Sequence, residues 1–221
     1  VRTIKSKYGA TTELVENYAK DLENKLEKYE AYEEYRANLE KKIEIYKIKL
    51  EKLGESISKI RKKCSAELEK RITDALIDLN FLQVKFEIAV RELDEFNSKG
   101  KDEVEFMIST NPGEDLKPIG QAASGGELSR IMLAIKTVLS DVDKIPVLVF
   151  DEIDTGISGK AAKAVGEKMK LISKKHQVIC ITHLATIAAK GDSNYYVSKN
   201  VVKQATVTDI RKLKENEIIE E

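Results

Sequence analysis

The chain has 221 residues, with 38 Lys and Arg balanced by 38 Asp and Glu for a formal net charge of zero. That balance excludes an overall basic nucleic-acid binder and an acidic solvating tail, so any DNA contact must come from a local patch. Aromatics make up only 6%, Trp is absent and 34% of residues are charged, which points to a long solvated helix beside a smaller core.

Two distant cysteines, Cys64 and Cys180, make neither a disulfide framework nor a zinc site and imply a reducing compartment. No apolar run approaches the roughly 18 residues of a transmembrane helix. The opening Val1-Arg2-Thr3-Ile4-Lys5 has no signal-peptide pattern. The chain starts without Met and ends in Glu215-Asn216-Glu217-Ile218-Ile219-Glu220-Glu221, which reads as an unfinished helix. A fragment of a longer protein is therefore expected.

Up to residue 99 the only glycines are Gly9 and Gly54, and all three prolines lie in the second half. Scarce breakers predict a helix from residue 10 to about 80. Leu39, Ile43, Tyr46, Leu50, Leu53, Ile57, Ile60 and Cys64 alternate in steps of four and three, a heptad seam. Leu14, Tyr18, Leu22, Leu26 and Tyr29 continue the stripe upstream, and Leu68, Ile72, Leu76 and Leu79 downstream. Such a helix would be roughly 100 Å long. So narrow a stripe favours a coiled coil over a helix lying along a core. One strand cannot bury its own seam, so a second strand must come from elsewhere. Arg61-Lys62-Lys63 offers charge for DNA phosphates, although on a coil solvated charge is the simpler explanation.

Beyond this, Val84, Phe86, Ile88 and Val90 alternate with mostly polar residues, as do Val104, Phe106 and Ile108, around the turn Asn97-Ser98-Lys99-Gly100. That pattern is a β-hairpin, ended by Asn111-Pro112-Gly113. Glu127–Leu139 reads as an amphipathic helix. Val147–Phe150 is a continuous apolar run, expected to be a strand buried on both faces. Ala161–Ile172 is helical in pattern, Val178–Ile181 is a second such strand, and Tyr195–Ser198 and Thr206–Ile210 are later strands. Strand, helix, strand in this order implies a parallel α/β sheet.

Three segments carry chemistry. Ser124-Gly125-Gly126-Glu127-Leu128-Ser129-Arg130 opens a helix. Paired glycines let the backbone approach a ligand, and the helix start offers free N–H groups and partial positive charge, which suits a phosphate. An ordinary N-cap explains the same residues. Val147-Leu148-Val149-Phe150-Asp151-Glu152 places two carboxylates at the carboxyl end of a strand, where ligands sit in open α/β sheets. There Asp151 is suited to Mg²⁺, through water, and Glu152 to polarising a water for attack on a phosphoryl group; solvated acids are the alternative. Ile181-Thr182-His183 ends the next strand, and a histidine there can face the same crevice or be satisfied locally. His176 fits the local explanation and receives no role.

In this order the segments resemble the C-terminal lobe of an ABC-type ATPase. Ser124 to Arg130 looks like the signature, Val147 to Glu152 like Walker B, Asp154-Thr155-Gly156-Ile157-Ser158-Gly159 like the D-loop, and His183 like the switch histidine. A coiled-coil strand running into such a lobe is similar to the SMC class. The stretches Ile108–Glu114, Ser124–Lys136, Phe150–Gly159 and Gln177–Leu184, with Lys7-Tyr8-Gly9 at the foot of the coil, resemble the RecN family of bacterial double-strand-break repair ATPases.

The resemblance implies a coiled-coil arm over residues 1–80 and an ATPase head lobe over residues 81–221. The lobe would be a mostly parallel sheet with flanking helices and a β-hairpin. Two heads would sandwich ATP with Mg²⁺: Ser124, Gly125, Gly126 and Glu127 would bind the nucleotide, Asp151 would hold the metal, Glu152 would be the base, His183 would touch the γ-phosphate, and Asp154 would join the two sites. Arg130 would couple the site to the coil or pair with Glu127. DNA would be the partner, no membrane would be involved, and the location would be the bacterial cytoplasm at the nucleoid. No Gly-x-x-x-x-Gly-Lys-Ser/Thr phosphate loop occurs in these residues; in the resembled family it lies in an N-terminal lobe, without which this chain is expected to be inactive. The competing readings are a non-catalytic coiled-coil scaffold, the nucleotide-binding lobe of a transporter, and another SMC-like repair ATPase.

Overall fold

A computed structural model of the chain describes residues 2–202, 205–214 and 217. The C-terminal stretch read as an unfinished helix falls, but for Glu217, outside the described residues. The chain divides into two units, Val1–Lys59 and Ile60–Glu221.

The first unit contains α1 (Arg2–Tyr8) and most of α2 (Thr12–Asp78). Between them Gly9 adopts φ +152°, and a Cβ there would meet Leu14 Cβ at 2.6 Å. Only glycine fits this break. The rings of Tyr8 and Tyr18 stack across it with centroids 5.3 Å apart. Along α2 the i,i+4 pairs Asp21–Lys25 and Arg36–Glu40 lie on the surface and stabilise the helix only slightly. The seam residues Leu39, Ile43, Tyr46, Leu50, Leu53 and Ile57 are all exposed. A helix of good formers with an uncovered apolar seam is the expected state of one coiled-coil strand.

In the second unit, the residues that prolong the stripe change role. Ile72, Leu76 and Leu79 are fully buried, with Leu68 packed beside them. They belong to the lobe's core rather than to an exposed seam. Each such side chain contributes roughly 1.5–3 kcal/mol through burial. The hairpin β1 (Lys85–Asn97) and β2 (Gly100–Ser109) pairs antiparallel from Lys85↔Ser109 to Asn97↔Gly100, and β3 (Lys117–Pro118) extends it. Phe86, Ile88 and Ile108 face the core, as the alternation predicts. The hairpin is fastened to α2 by side chains. Arg61 donates to Asp102 Oδ2 at 2.9 Å and to the Lys99 carbonyl at 2.7 Å, and Glu69 accepts from the Ile88 N–H at 2.8 Å. Arg61 thus spends two of its donors on the protein itself.

After the short α3 (Ile119–Ala122) come α4 (Gly125–Leu139), β4 (Val147–Phe150), α5 (Gly159–Ile172), β5 (Gln177–Cys180) and α6 (Ala185–Ala188). β4 and β5 are parallel. Ile131, Leu133 and Ala134 of α4, and Ala162, Val165, Met169 and Ile172 of α5, share one core with Leu148 and Phe150. The other face of the pair is bare: Val149 is 63% exposed and Ile181, just past β5, 58%. The expectation of strands buried on both faces is therefore corrected. The described helices cover one face only, and an apolar run does not specify what covers the other. A separate antiparallel ribbon, β6 (Tyr195–Val202) and β7 (Ala205–Lys212), follows. Among the described residues no helix is long and apolar enough to cross a membrane.

Candidate functional site

Ser124 caps α4 in extended conformation, and Glu127 reaches back to it as in a capping box. The Glu127 carboxylate accepts from both the N–H and the Oγ of Ser124, at 3.1 and 3.0 Å. One turn on, Ser129 Oγ donates to the Asp151 carbonyl at 2.7 Å. Arg130 is buried and donates from Nη1 to the carbonyls of Ile153 (3.1 Å) and Thr155 (2.9 Å). Its guanidinium lies over the ring of Phe81 at 5.6 Å. Arg130 therefore does not form the ion pair with Glu127 weighed from the sequence. It ties α4 to the turn after β4 and to the residues that follow α2.

That turn carries the acids. The Asp151 carboxylate accepts from the Glu152 N–H at 2.9 Å. Glu152 itself has φ +54°, a left-handed conformation that costs a non-glycine residue of order 1 kcal/mol. It closes a turn in which Thr155 N–H donates to the Glu152 carbonyl at 3.0 Å. The paired glycines face this turn. A Cβ on Gly125 would lie 2.6 Å from Glu152 Oε2, and one on Gly126 2.8 Å from the Glu152 carbonyl and 3.0 Å from Thr155 Cβ. The close approach expected of Gly125 and Gly126 toward a ligand is, in this structure, an approach to the acid-bearing turn.

Asp154, expected to reach across a dimer, points inward and is only 3% exposed. It accepts from Thr182 Oγ1 at 2.5 Å and from the His183 N–H at 2.8 Å, with His183 Nδ1 3.1 Å away. The His183 side chain is 74% exposed. Burial pushes the Asp154 carboxyl up, but the hydrogen bonds from Thr182 and His183 outweigh it and hold it below the ordinary carboxylate range. A carboxyl depressed on folding adds stability above its unfolded value, about 3.9, and that contribution is lost as pH falls through the lower folded value. Thermal melts across pH 6 to 2.5 are expected to show Asp154→Asn losing less stability on acidification than wild type, below about pH 4. Parallel curves would exclude this role. Burial pushes the neighbouring Cys180 thiol up to about 11, with Asp154 and Asp151 adding to it. It remains a neutral thiol at physiological pH and is no nucleophile.

Among the described residues no group of three metal-ligating side chains comes together. Asp151 alone supplies one carboxylate, which fits Mg²⁺ held mainly by phosphate oxygens and water. The free N–H groups at the start of α4 fit a phosphate.

The structure thus brings Ser124–Glu127, Asp151–Glu152 and, through Asp154, His183 around one turn. Sequence reasoning missed three members of this network: Ser129, Thr182 as the partner of Asp154, and Phe81. Ser129, at helical spacing from Ser124, and Thr182, polar at a strand end, were visible signals; Phe81 had none.

No protein-family model matches the chain. It is 39% identical to the DNA repair protein RecN of Halalkalibacterium halodurans, over all of this chain and 40% of that protein. It is 33% identical to RecN of Bacillus subtilis, over all of this chain and 41% of that one. RecN of Treponema pallidum is 37% identical over 93% of this chain and 37% of its own length. The chain thus spans about two fifths of the length of these relatives. Among solved structures, the Smc head domain with a coiled coil and joint from Pyrococcus yayanosii superposes with a TM-score of 0.63 at 21% identity, over 95% of this chain and 38% of that one. The Smc head domain with an extended coiled coil from Pyrococcus furiosus, bound to the C-terminal domain of ScpA, gives 0.51 at 20% identity, over 99% and 49%. These likenesses show the fold.

Proposed function

Because this chain is related along its whole length to the RecN DNA repair proteins, we propose that it is the returning coiled-coil strand (1–80) and C-terminal head lobe (81–221) of an SMC-like ATPase acting in DNA repair. The observation that carries this reading is the gathering of the α4 start, the Asp151-Glu152 strand end and His183 around one turn. A scaffold needs no such paired acids, and the head domains it resembles belong to Smc, not to transporters.

Without a phosphate-loop Lys in these residues, this lobe alone holds ATP weakly. Its own N-terminal lobe would supply the Walker A loop, and a second head would complete the site. Ser124 and the N–H groups of Gly125 and Gly126 would meet the γ-phosphate held by that second head. Asp151 would hold Mg²⁺, which neutralises phosphate charge. Glu152 would take the proton of the attacking water. His183, set by the Asp154 hydrogen bond to its backbone, would direct its exposed ring at the γ-phosphate, and Glu127 would keep Ser124 in place. The Glu152 carboxylate now lies against Gly125, at a helix start that favours an anion. A phosphate arriving there would compete with that carboxylate for the same helix start.

In a protein carrying the Walker A lobe, Ser124→Arg is expected to block ATP-induced head dimerisation while ATP affinity in the single head stays within about threefold. Light scattering and nucleotide binding measure the two. Undiminished dimerisation would remove Ser124 from the interface and with it this reading.

A further inference from the structure

Outside the site, the strongest charged feature is α5. Residues 159–175 hold six Lys against one Glu, in a chain whose net charge is zero, so the rest of the chain is net acidic. Lys160, Lys163 and Lys170 recur at three and seven residues along α5, and Lys174 follows just past its end, all exposed, with Glu167 among them. That spacing lines one face of a helix. The opposite face, Ala161, Ala162, Val165, Met169 and Ile172, is buried. Lys190 joins Lys170, Lys174, Glu167 and Leu171 around a shallow depression at one end.

Only part of the stripe serves the helix: Lys170 stands in the last turn, where a cation is favoured, and Glu167 lies four residues from Lys163 and three from Lys170. The first turn of α5 holds no acid, its N-cap Ser158 makes no side-chain cap, and Lys160 stands where the helix macrodipole disfavours a cation. Lys160–Lys163 is a like-charge pair at three residues within the helix, which is destabilising. Three lysines of the segment are held internally, Lys168 by Asp78, Lys170 by Asp192 and Lys175 by Asp141. Lys160, Lys163, Lys174 and Lys190 have no ion-pair partner among the described residues.

We propose that this lysine stripe is a contact surface for the phosphate backbone of duplex DNA. From Lys160 to Lys170 it runs about 15 Å, the reach of about four phosphates along one strand, with Lys174 just past the helix end. It carries no aromatic side chain, so it lacks the stacking platform that single strands need. Flexible point charges without base-reading groups give sequence-independent contact. A protein partner is disfavoured because lysine is depleted from the cores of protein interfaces and Leu171 is the stripe's one exposed apolar residue.

The inference rests on the repair-protein reading for why DNA is met at all. The test uses the intact protein, without nucleotide, and a 40-base-pair duplex of mixed sequence, with affinity measured across salt concentrations. K160A/K163A/K174A/K190A, which removes the four lysines without an ion-pair partner, is expected to bind more weakly and to lower the slope of log affinity against log salt by about three to four. The milder K163A/K174A, for use if the first variant melts early, is expected to lower it by about two. Four Lys→Arg changes are expected to restore it. A wild type that binds DNA beside variants with unchanged slope and affinity overturns the stripe alone. A wild type that does not bind DNA overturns both the stripe and the repair reading. Variants that keep DNA but lose polyglutamate assign the stripe to an acidic protein and overturn the proposal.

Discussion

Replacing Glu152 by Gln in a protein that carries the Walker A lobe is expected to lower ATP turnover by two orders of magnitude or more, while ATP-dependent pairing of heads persists. General-base catalysis is typically worth 10²–10⁴-fold, and Gln keeps the size and backbone of the side chain but cannot take a proton. The left-handed φ of +54° makes Gln the right substitute, because it bears the same conformational strain as Glu and adds no new one. The change also removes a negative charge from beside Gly125, so the paired, nucleotide-bound state should accumulate. Phosphate release and light scattering read the two effects separately. Turnover within tenfold of wild type would take the base role away from Glu152.

The second large effect is expected at Arg130. Arg130→Ala removes a charged donor from the carbonyls of Ile153 and Thr155 and a cation from the face of Phe81. Hydrogen bonds from charged groups contribute about 1.5–3 kcal/mol each and a cation–π contact about 0.5–2, with incomplete additivity. A loss of about 3 kcal/mol follows, or roughly 6–12 °C in melting temperature for a chain of this size. Because Arg130 fixes the turn that presents Glu152, kcat should fall more than KM rises. Arg130→Lys, which donates but lacks the planar fork, should recover part of each. A melting shift below 2 °C would show that the buried guanidinium does not hold this turn.

Much of this architecture is readable from periodicity. The hairpin follows from alternation at Phe86, Ile88, Phe106 and Ile108, the long helix from the absence of breakers, and the order of β4, α5 and β5 from apolar runs separated by an amphipathic one. Local patterns of this kind are set by neighbours a few residues apart. What the patterns did not reveal depends on distant residues. Val149 and Ile179 look as buried as Leu148, because hydrophobicity records that a face wants cover and not whether these residues supply it. Leu76 and Leu79 keep heptad spacing while changing partners from a coil to a core. Of the site, Ser124, Asp151, Glu152 and His183 stand out by residue type and position. The inward turn of Asp154 does not, since Thr182 lies 28 positions away, and neither does the grip of Arg130 on carbonyls 23 and 25 residues further on.

The tight fit of Gly125 and Gly126 against the Glu152 turn has a bearing on how this protein can be dissected. Glycine-to-alanine exchange is the customary probe of whether a loop touches nucleotide, yet here the added methyl collides first with the chain's own acids. At Gly125 the Glu152 side chain can swing aside, but at Gly126 the methyl meets the backbone of the Glu152–Thr155 turn, so an alanine at Gly126 would disturb that turn even in a molecule whose loop never met ATP. A defect mapped to Gly126 therefore reports on the posture of the Asp151-Glu152 turn, and a change that leaves this glycine intact, such as one at Ser124, is the cleaner diagnostic.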